Sequence, residues 1–335
     1  MQTVPPFRAF RIHNDAAGYR AGLESMHADG LSPGEVLIKV ACSSVNYKDA
    51  LAGTGKGRIL RRFPLNGGID VAGHVVESSD PAFKEGDAVL CTGCGLSEIR
   101  DGGYAGYARL RAEWAIKLPP GLSLRESMIL GTAGFTAGLA LYRMRDNRQA
   151  PALGPIAVTG ATGGVGMLAV DIFGRAGFDV HAISGKPERA DFLESLGARQ
   201  VLDRHELALG DHALESARFG GAVDSAGGKW LAQLLASTAP YGNVASIGLA
   251  ADSKLETTVM PFIIRGVSLL GIASAGTARD IRDAIWRHLA TDWKPARLDA
   301  ICTQEVGLDE LPGVFDAMLA GHSFGRTLVK VSTSN

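Results

Sequence analysis

The sequence predicts an α/β chain: a doubly wound parallel sheet of six strands, accompanied by a β-rich domain. Three observations carry this. A glycine turn at 160–166 separates a short apolar strand from a helix with one continuous apolar face. Strand and helix patterns then alternate to about residue 295, the mark of a parallel sheet with crossover helices. Before residue 120, by contrast, short alternating strands are separated by turn signals and carry no helical period.

In chain order, Val36, Ile38, Val40 and Cys42 alternate with other residues, as a half-buried strand requires. Similar segments follow at 69–76, 87–91, 104–110 and 114–117. Pro33-Gly34, Glu85-Gly86-Asp87, Asp101-Gly102-Gly103 and Pro119-Pro120-Gly121 punctuate them. A helix is expected over 127–142, then strands at 156–159, 180–183, 201–202, 222–224, 244–247 and 269–272. Helices are expected at 188–196, closed by Gly197, at 229–237 and at 279–289. Asp292-Trp293-Lys294-Pro295 reads as a boundary. The tail, helical over 308–319 and a strand over 327–331, is too short to fold alone and is expected to pack on the first domain. The expected domains are therefore 1–122 with 296–335, and 123–295, with a ligand cleft between them.

Composition narrows the function classes. The chain of 335 residues is 46% hydrophobic and 21% charged, with a formal net charge of −1. That balance argues against a nucleic-acid partner. No apolar run approaches the ~20 residues of a membrane helix, and the first fifteen residues show no signal-peptide core. Cys42, Cys91, Cys94 and Cys302 are too few and scattered for a disulfide scaffold, so a reducing cytoplasm is expected. Cys91-x-x-Cys94 has redox spacing but no thioredoxin-like context, and reads as two ordinary buried thiols.

The glycine turn carries the first chemistry. Ile156-Ala157-Val158 leads into Gly160, Gly163, Gly164 and Gly166, and Val165, Leu168, Ala169, Ile172, Phe173 and Ala176 form the apolar face of the next helix. Backbone N–H groups at a helix start attract a diphosphate, and glycines let the backbone come close to it. The spacing is G-x-x-G-x-x-G, a variant of the dinucleotide fingerprint. At the end of the second strand of this fold, an NAD site places an acidic residue on the ribose. Here the chain reads Ile183-Ser184-Gly185-Lys186. A hydroxyl and a cation, with Arg189 or Arg204 adding charge, suit a 2′-phosphate, so NADPH is the expected cofactor.

Asn46-Tyr47-Lys48-Asp49 lies in the segment SSVNYKDAL (43–51), and further motifs are GKGRI (55–59), GIDVAG (68–73), ILGTAGFTA (129–137), TGATGGVG (159–166), TTVMPFI (257–263) and GRTLVKV (325–331). On these motifs the chain resembles the medium-chain dehydrogenase/reductase superfamily along nearly all its length, and within it the acryloyl-CoA reductase group of zinc-free, quinone oxidoreductase-like proteins. The resemblance implies a GroES-like catalytic domain beside a Rossmann domain, a homodimer, and reduction of the activated C=C bond of a 2-enoyl-CoA. The positions matching the catalytic zinc ligands of alcohol dehydrogenases are Asn46, Ile69 and Thr132, a poor zinc set, so a metal-free enzyme is expected. His74 reads as structural. The resemblance implies Tyr47 as the catalytic side chain, with Asn46 and Asp49 organising its loop. It implies a cofactor site of Tyr47, Thr132, Thr136, Thr162, Gly163, Gly164, Val165, Ser184, Gly185, Lys186, Arg204, Gly248, Leu249 and Arg326. The cationic run Lys56, Arg58, Arg61 and Arg62 either holds the phosphates of an acyl-CoA or is a solvated basic face. A quinone reductase and a non-catalytic NADPH-binding protein are the competing readings.

Overall fold

The computed structural model describes residues 4–331. Strands β1 (Phe7–Asp15), β2 (Gly18–Met26) and β3 (Val36–Val45) come first, followed by helix α1 (Tyr47–Thr54). Next are β4 (Leu65–Asn66), β5 (Asp70–Ser78), β6 (Ala88–Thr92), β7 (Tyr107–Leu110) and β8 (Ile116–Lys117), and then α2 (Leu124–Asp146). The alternating region follows: β9 (Ile156–Thr159), α3 (Gly164–Arg175), β10 (Val180–Ser184), α4 (Ala190–Ser195), β11 (Gln200–Asp203) and β12 (Phe219–Asp224). It continues with α5 (Gly228–Ala236), β13 (Thr238–Ser246), α6 (Met260–Arg265), β14 (Ser268–Gly271) and α7 (Arg279–Ala290). The chain ends in α8 (Leu298–Ile301), β15 (Cys302–Val306), α9 (Leu311–Leu319) and β16 (Arg326–Lys330).

Two compact units result. One holds residues up to Thr132, Ala275–Asp283 and the chain from Leu298; the other holds Ala133–Ser274 and Ala284–Arg297. In the first, β3 is the central strand. It pairs antiparallel with β5, β7 and β16, in a sheet ordered β15-β16-β3-β5-β6-β8. The tail strand β16 thus belongs to the first unit, with Val329 opposite Ser43. The interior is apolar, with Ile38, Val71, Val89 and Val329 fully enclosed. α9 packs on α1 so closely that a Cβ on Gly53 would lie 2.3 Å from the Phe315 ring.

The second unit is the expected sheet of six strands, ordered β11-β10-β9-β12-β13-β14, with every pairing parallel. Such an order reverses direction of winding between β9 and β12, and ligands bind outside the carboxyl ends of the strands there. α3 buries Met167–Phe173 against the sheet, as its apolar periodicity requires. Among the described residues no helix is long and apolar enough to cross a membrane.

Several elements differ from expectation. The β1–β2 hairpin and α1 were not legible. The expected strand over 104–110 is confined to Tyr107–Leu110. α2 is longer than expected and breaks at Gly131, whose φ of 49° and ψ of −154° are non-helical.

Candidate active site

In the second unit the glycine turn has the geometry the spacing implies. Gly160 takes a left-handed φ of 61° and Gly163 caps α3, its N–H donating to the Gly160 carbonyl at 2.9 Å. A Cβ on Gly166 would sit 2.2 Å from the Gly160 oxygen, so α3 can start this close to β9 only with glycine there. Gly164 and Val165 therefore present first-turn N–H groups of a twelve-residue helix at the carboxyl end of β9, with Thr162 and Gly163 in the turn that leads into it.

The neighbouring strand ends complete the floor. Thr159 donates through Oγ1 to Asp224 Oδ1 at 2.7 Å and accepts the Ser225 N–H at 2.9 Å. Burial pushes the Asp224 carboxyl above the usual range. Ser225 Oγ is buried without a hydrogen-bond partner. A dinucleotide would fit both the glycine cradle and this orphaned hydroxyl. Gly248 lies against the Ser225 carbonyl, 2.5 Å from a hypothetical Cβ, and Leu249 beside it is 62% exposed.

At the end of β10, Ser184 Oγ accepts the Lys186 N–H at 3.0 Å. The Arg204 N–H donates to the Ser184 carbonyl at 2.8 Å, and its guanidinium lies across Gly185, where a Cβ would be 2.3 Å from Nε. Of the two arginines left open by sequence, Arg204 is the one brought to Ser184. Arg189 pairs with Glu188 at 3.9 Å. Asp203 stands beside Ser184 in register, with its Oδ1 accepting the His205 N–H at 2.9 Å.

The first unit gathers a second, buried polar group around a residue the sequence reading missed, Asp70. Its Oδ2 accepts from Ser44 Oγ (2.6 Å), Asn46 Nδ2 (2.8 Å) and the Thr132 N–H (2.9 Å), and its Oδ1 from Thr132 Oγ1 (2.6 Å). Arg326 Nη2 stands 3.9 Å from Oδ2, both side chains being buried. A Cβ on Gly131 would be 2.5 Å from Asp70 Oδ2 and 2.7 Å from Ser44 Oγ. The break in α2 therefore opens the space that this cluster fills. The available signal for Asp70 was an acidic residue inside the apolar run GIDVAG, which only a buried partner set explains.

Asn46 and Asp49 frame the start of α1. The Asp49 carboxylate reaches back to the Asn46 N–H at 2.9 Å through Oδ2, and Oδ1 accepts the Ile69 N–H at 2.9 Å. Burial first, and then the charge of Asp70, push the Asp49 carboxyl up to about 7. Tyr47, the first residue of the helix, is left 49% exposed.

Arg326, expected at the cofactor, is held within the buried cluster. It donates to the carbonyls of Ile129 (2.9 Å) and Val45 (2.8 Å), to Asn46 Oδ1 (3.1 Å) and to Ser44 Oγ (2.7 Å). Buried and so engaged, it positions Asn46 and Ser44. Thr132 is likewise tied to Asp70, and Thr136 is buried on α2. Lys56, Arg58, Arg61 and Arg62 are all exposed in the loop after α1. Arg61 lies 3.3 Å from Glu98, which also takes Lys48 at 2.8 Å.

These two arrangements match known proteins. Residues 32–120 match the alcohol dehydrogenase GroES-like domain family, and residues 164–291 match the zinc-binding dehydrogenase family. "Putative quinone oxidoreductase YhfP" of Bacillus subtilis is 44% identical over 97% of this chain and 99% of its own. The chain belongs to the medium-chain dehydrogenase/reductase superfamily. A second relative in it, acrylyl-CoA reductase AcuI of Ruegeria pomeroyi, is 41% identical over 93% of this chain and 95% of its own. Escherichia coli YhdH, solved with bound NADPH, superposes with a TM-score of 0.92 at 42% identity, covering 97% of this chain and 100% of that one. Bacillus subtilis yhfP, solved with NAD, gives 0.93 at 43%, covering 98% and 100%.

The zinc chemistry in the superfamily's description has no fitting donors here. Asn46 Nδ2 and Thr132 Oγ1 both donate to Asp70, and Ile69 is apolar. Among the described residues no three His, Cys, Asp or Glu side chains gather as a metal site.

Proposed function

We propose that this oxidoreductase uses NADPH, without a metal, to reduce the activated C=C bond of a short 2-enoyl-CoA, acryloyl-CoA to propanoyl-CoA. The observation that carries the cofactor is the end of β10, where Ser184 Oγ accepts the Lys186 N–H and the Arg204 guanidinium lies across Gly185. Those groups hold a 2′-phosphate. Thr162–Val165 and the α3 N-terminus hold the diphosphate, and Ser225 Oγ offers one further donor. The bound cofactor supplies the hydride for the β-carbon of the acceptor.

The chain's own residues do the rest. Reduction at the β-carbon leaves negative charge on the thioester oxygen until a proton from solvent adds at the α-carbon, and a preorganised donor at that oxygen lowers the barrier. The exposed Tyr47 phenol is that donor. Asn46 and Asp49 fix the first turn of its helix, and Asp70 and Arg326 fix Asn46. Lys56, Arg58 and Arg62 offer exposed positive charge to the anionic CoA handle, whose binding energy orients the distant double bond.

The naming of YhfP favours a second reading, a quinone reductase with the same cofactor site. An acceptor screen decides between them: NADPH oxidation with acryloyl-CoA well above that with quinones supports the proposal, and the reverse order overturns it. We also propose a homodimer formed along β14, an edge strand of its sheet, beside which Ile263 and Ile264 are 69% and 61% exposed. Light scattering at the monomer mass would refute that.

A further inference from the structure

Cys91 and Cys94 are not the two ordinary buried thiols that the sequence suggests. Cys91, on β6, is fully enclosed, whereas Cys94 is partly exposed. Only Thr92 and Gly93 separate the two in sequence, and each thiol is the first influence on the other's ionisation. Cys94 is held in a tight turn of three consecutive left-handed residues: Gly93 (φ 68°), Cys94 (φ 52°) and Gly95 (φ 79°). A cysteine in that region carries backbone strain, and strained residues cluster at functional sites. The turn is anchored on both sides. The Gly93 N–H donates to the Ile69 carbonyl at 2.8 Å, and the Cys94 N–H to that of Ala275 at 3.3 Å.

A buried cation stands beside this turn. Arg282, only 2% exposed, donates to the Thr92 carbonyl at 2.8 Å, to Thr92 Oγ1 at 3.1 Å and to the Ala275 carbonyl at 3.3 Å. The Ala275 oxygen is thus shared by the Cys94 amide and the Arg282 guanidinium. Arg279 adds positive charge and Glu113 opposes it. The neighbouring Cys91 thiol, then Arg282 and Arg279, bring the Cys94 thiol down to about 7 against the burial that raises it, while Cys91 is pushed up. The other two thiols differ. Burial pushes Cys42 up to about 12 and raises Cys302 as well.

We propose that Cys94 and Cys91 form a redox-responsive modification site in which Cys94 is oxidised by a hydroperoxide and Cys91 resolves it as an intramolecular disulfide. The Cys94 thiolate attacks one peroxide oxygen: the S–O bond forms, the O–O bond breaks, and the leaving oxygen takes a proton. The Cys91 sulfur then attacks Cys94, the S–S bond forms, and the S–O bond breaks, with water carrying off the Cys91 proton. Two thiols are oxidised and one peroxide is reduced. The partly exposed Cys94 is the one a peroxide can reach, and the enclosed Cys91 stands three residues before it near the end of β6, which suits a peroxidatic thiol and its resolving partner.

The test treats the reduced full-length protein with hydrogen peroxide, blocks remaining thiols, and maps disulfides by peptide mass spectrometry. A Cys91–Cys94 disulfide, with Cys42 and Cys302 still free and full reversal by dithiothreitol, is the expected result. Alkylation with iodoacetamide at pH 7 should modify Cys94 roughly tenfold faster than Cys302, because the Cys94 thiol is lowered and the Cys302 thiol raised. In Cys91→Ser, dimedone should trap a sulfenic acid on Cys94. A different pairing, oxidation of Cys302 before Cys94, or equal alkylation rates would overturn the proposal, and the wild-type mapping decides it even if a variant fails to fold.

Discussion

Replacing Asp70 by Asn isolates the charge of the buried cluster from its shape. Three donors meet Oδ2, and two of them, Asn46 Nδ2 and the Thr132 N–H, cannot reverse into acceptors. An amide will therefore place its nitrogen at the Oδ1 position, facing Thr132 Oγ1, a hydroxyl that can rotate to accept. The contacts survive and the charge beside Arg326 does not. Breaking a buried pair by removing one partner costs about 3–5 kcal/mol. With its four other acceptors kept, Arg326 puts Asp70→Asn at the low end, near 3 kcal/mol. For a unit of this size that is a fall in Tm of roughly 6–12 °C. Asp70→Ala, which also strands the donors, should cost more. Thermal unfolding of the three proteins followed by circular dichroism is the assay. An Asp70→Asn protein within about 1 kcal/mol of wild type would show that Arg326 does not depend on this carboxylate, and the account of the cluster would fall.

Further outcomes are expected. Gly131→Ala adds a methyl 2.5 Å from Asp70 Oδ2 at a φ of 49° and should cost about 2–5 kcal/mol; unchanged stability would mean that α2 need not break. Asp49 has its carboxyl raised to about 7, so between pH 4 and 7 the unfolded chain releases this proton first and the native state loses stability as pH rises, by about 4 kcal/mol. Urea titrations of wild type against Asp49→Asn across that range should show the difference moving steadily in favour of the variant, and a flat difference would refute it. Lys186→Glu should weaken NADPH about 10- to 150-fold while sparing NADH, whereas equal titration of wild type by both cofactors would remove the basis of the NADPH assignment. Replacing Arg58, Arg61 and Arg62 together by Ala should lower kcat/KM for acryloyl-CoA and not for an uncharged quinone; chelators should leave both reactions unaffected, and inhibition by them would overturn the metal-free reading.

What sequence could and could not show follows from where the information lies. The six parallel strands were legible because strands buried on both faces read as apolar runs, and Ile156–Thr159 and Ala222–Asp224 are fully enclosed. β2 was not legible because it buries almost nothing. Only Met26 of its nine residues is buried, and the strand exists through its ladder to β1. α1 was hidden for another reason: eight residues are too few to show a helical period, and its evidence is the Asp49 carboxylate at the Asn46 N–H. The candidate site divides in the same way. Contacts made by backbone, such as the glycine turn, leave a local mark because they dictate which residues have no side chain. The Asp70 cluster draws on Ser44 and Asn46, Thr132 and Arg326 from three separate segments, so no spacing announces it. Arg326 shows the consequence: the motif suggests a ligand contact and gives no sign that four of its N–H groups go to Ile129, Val45, Asn46 and Ser44. The motif marks the residue, and only the fold shows which segments it ties together.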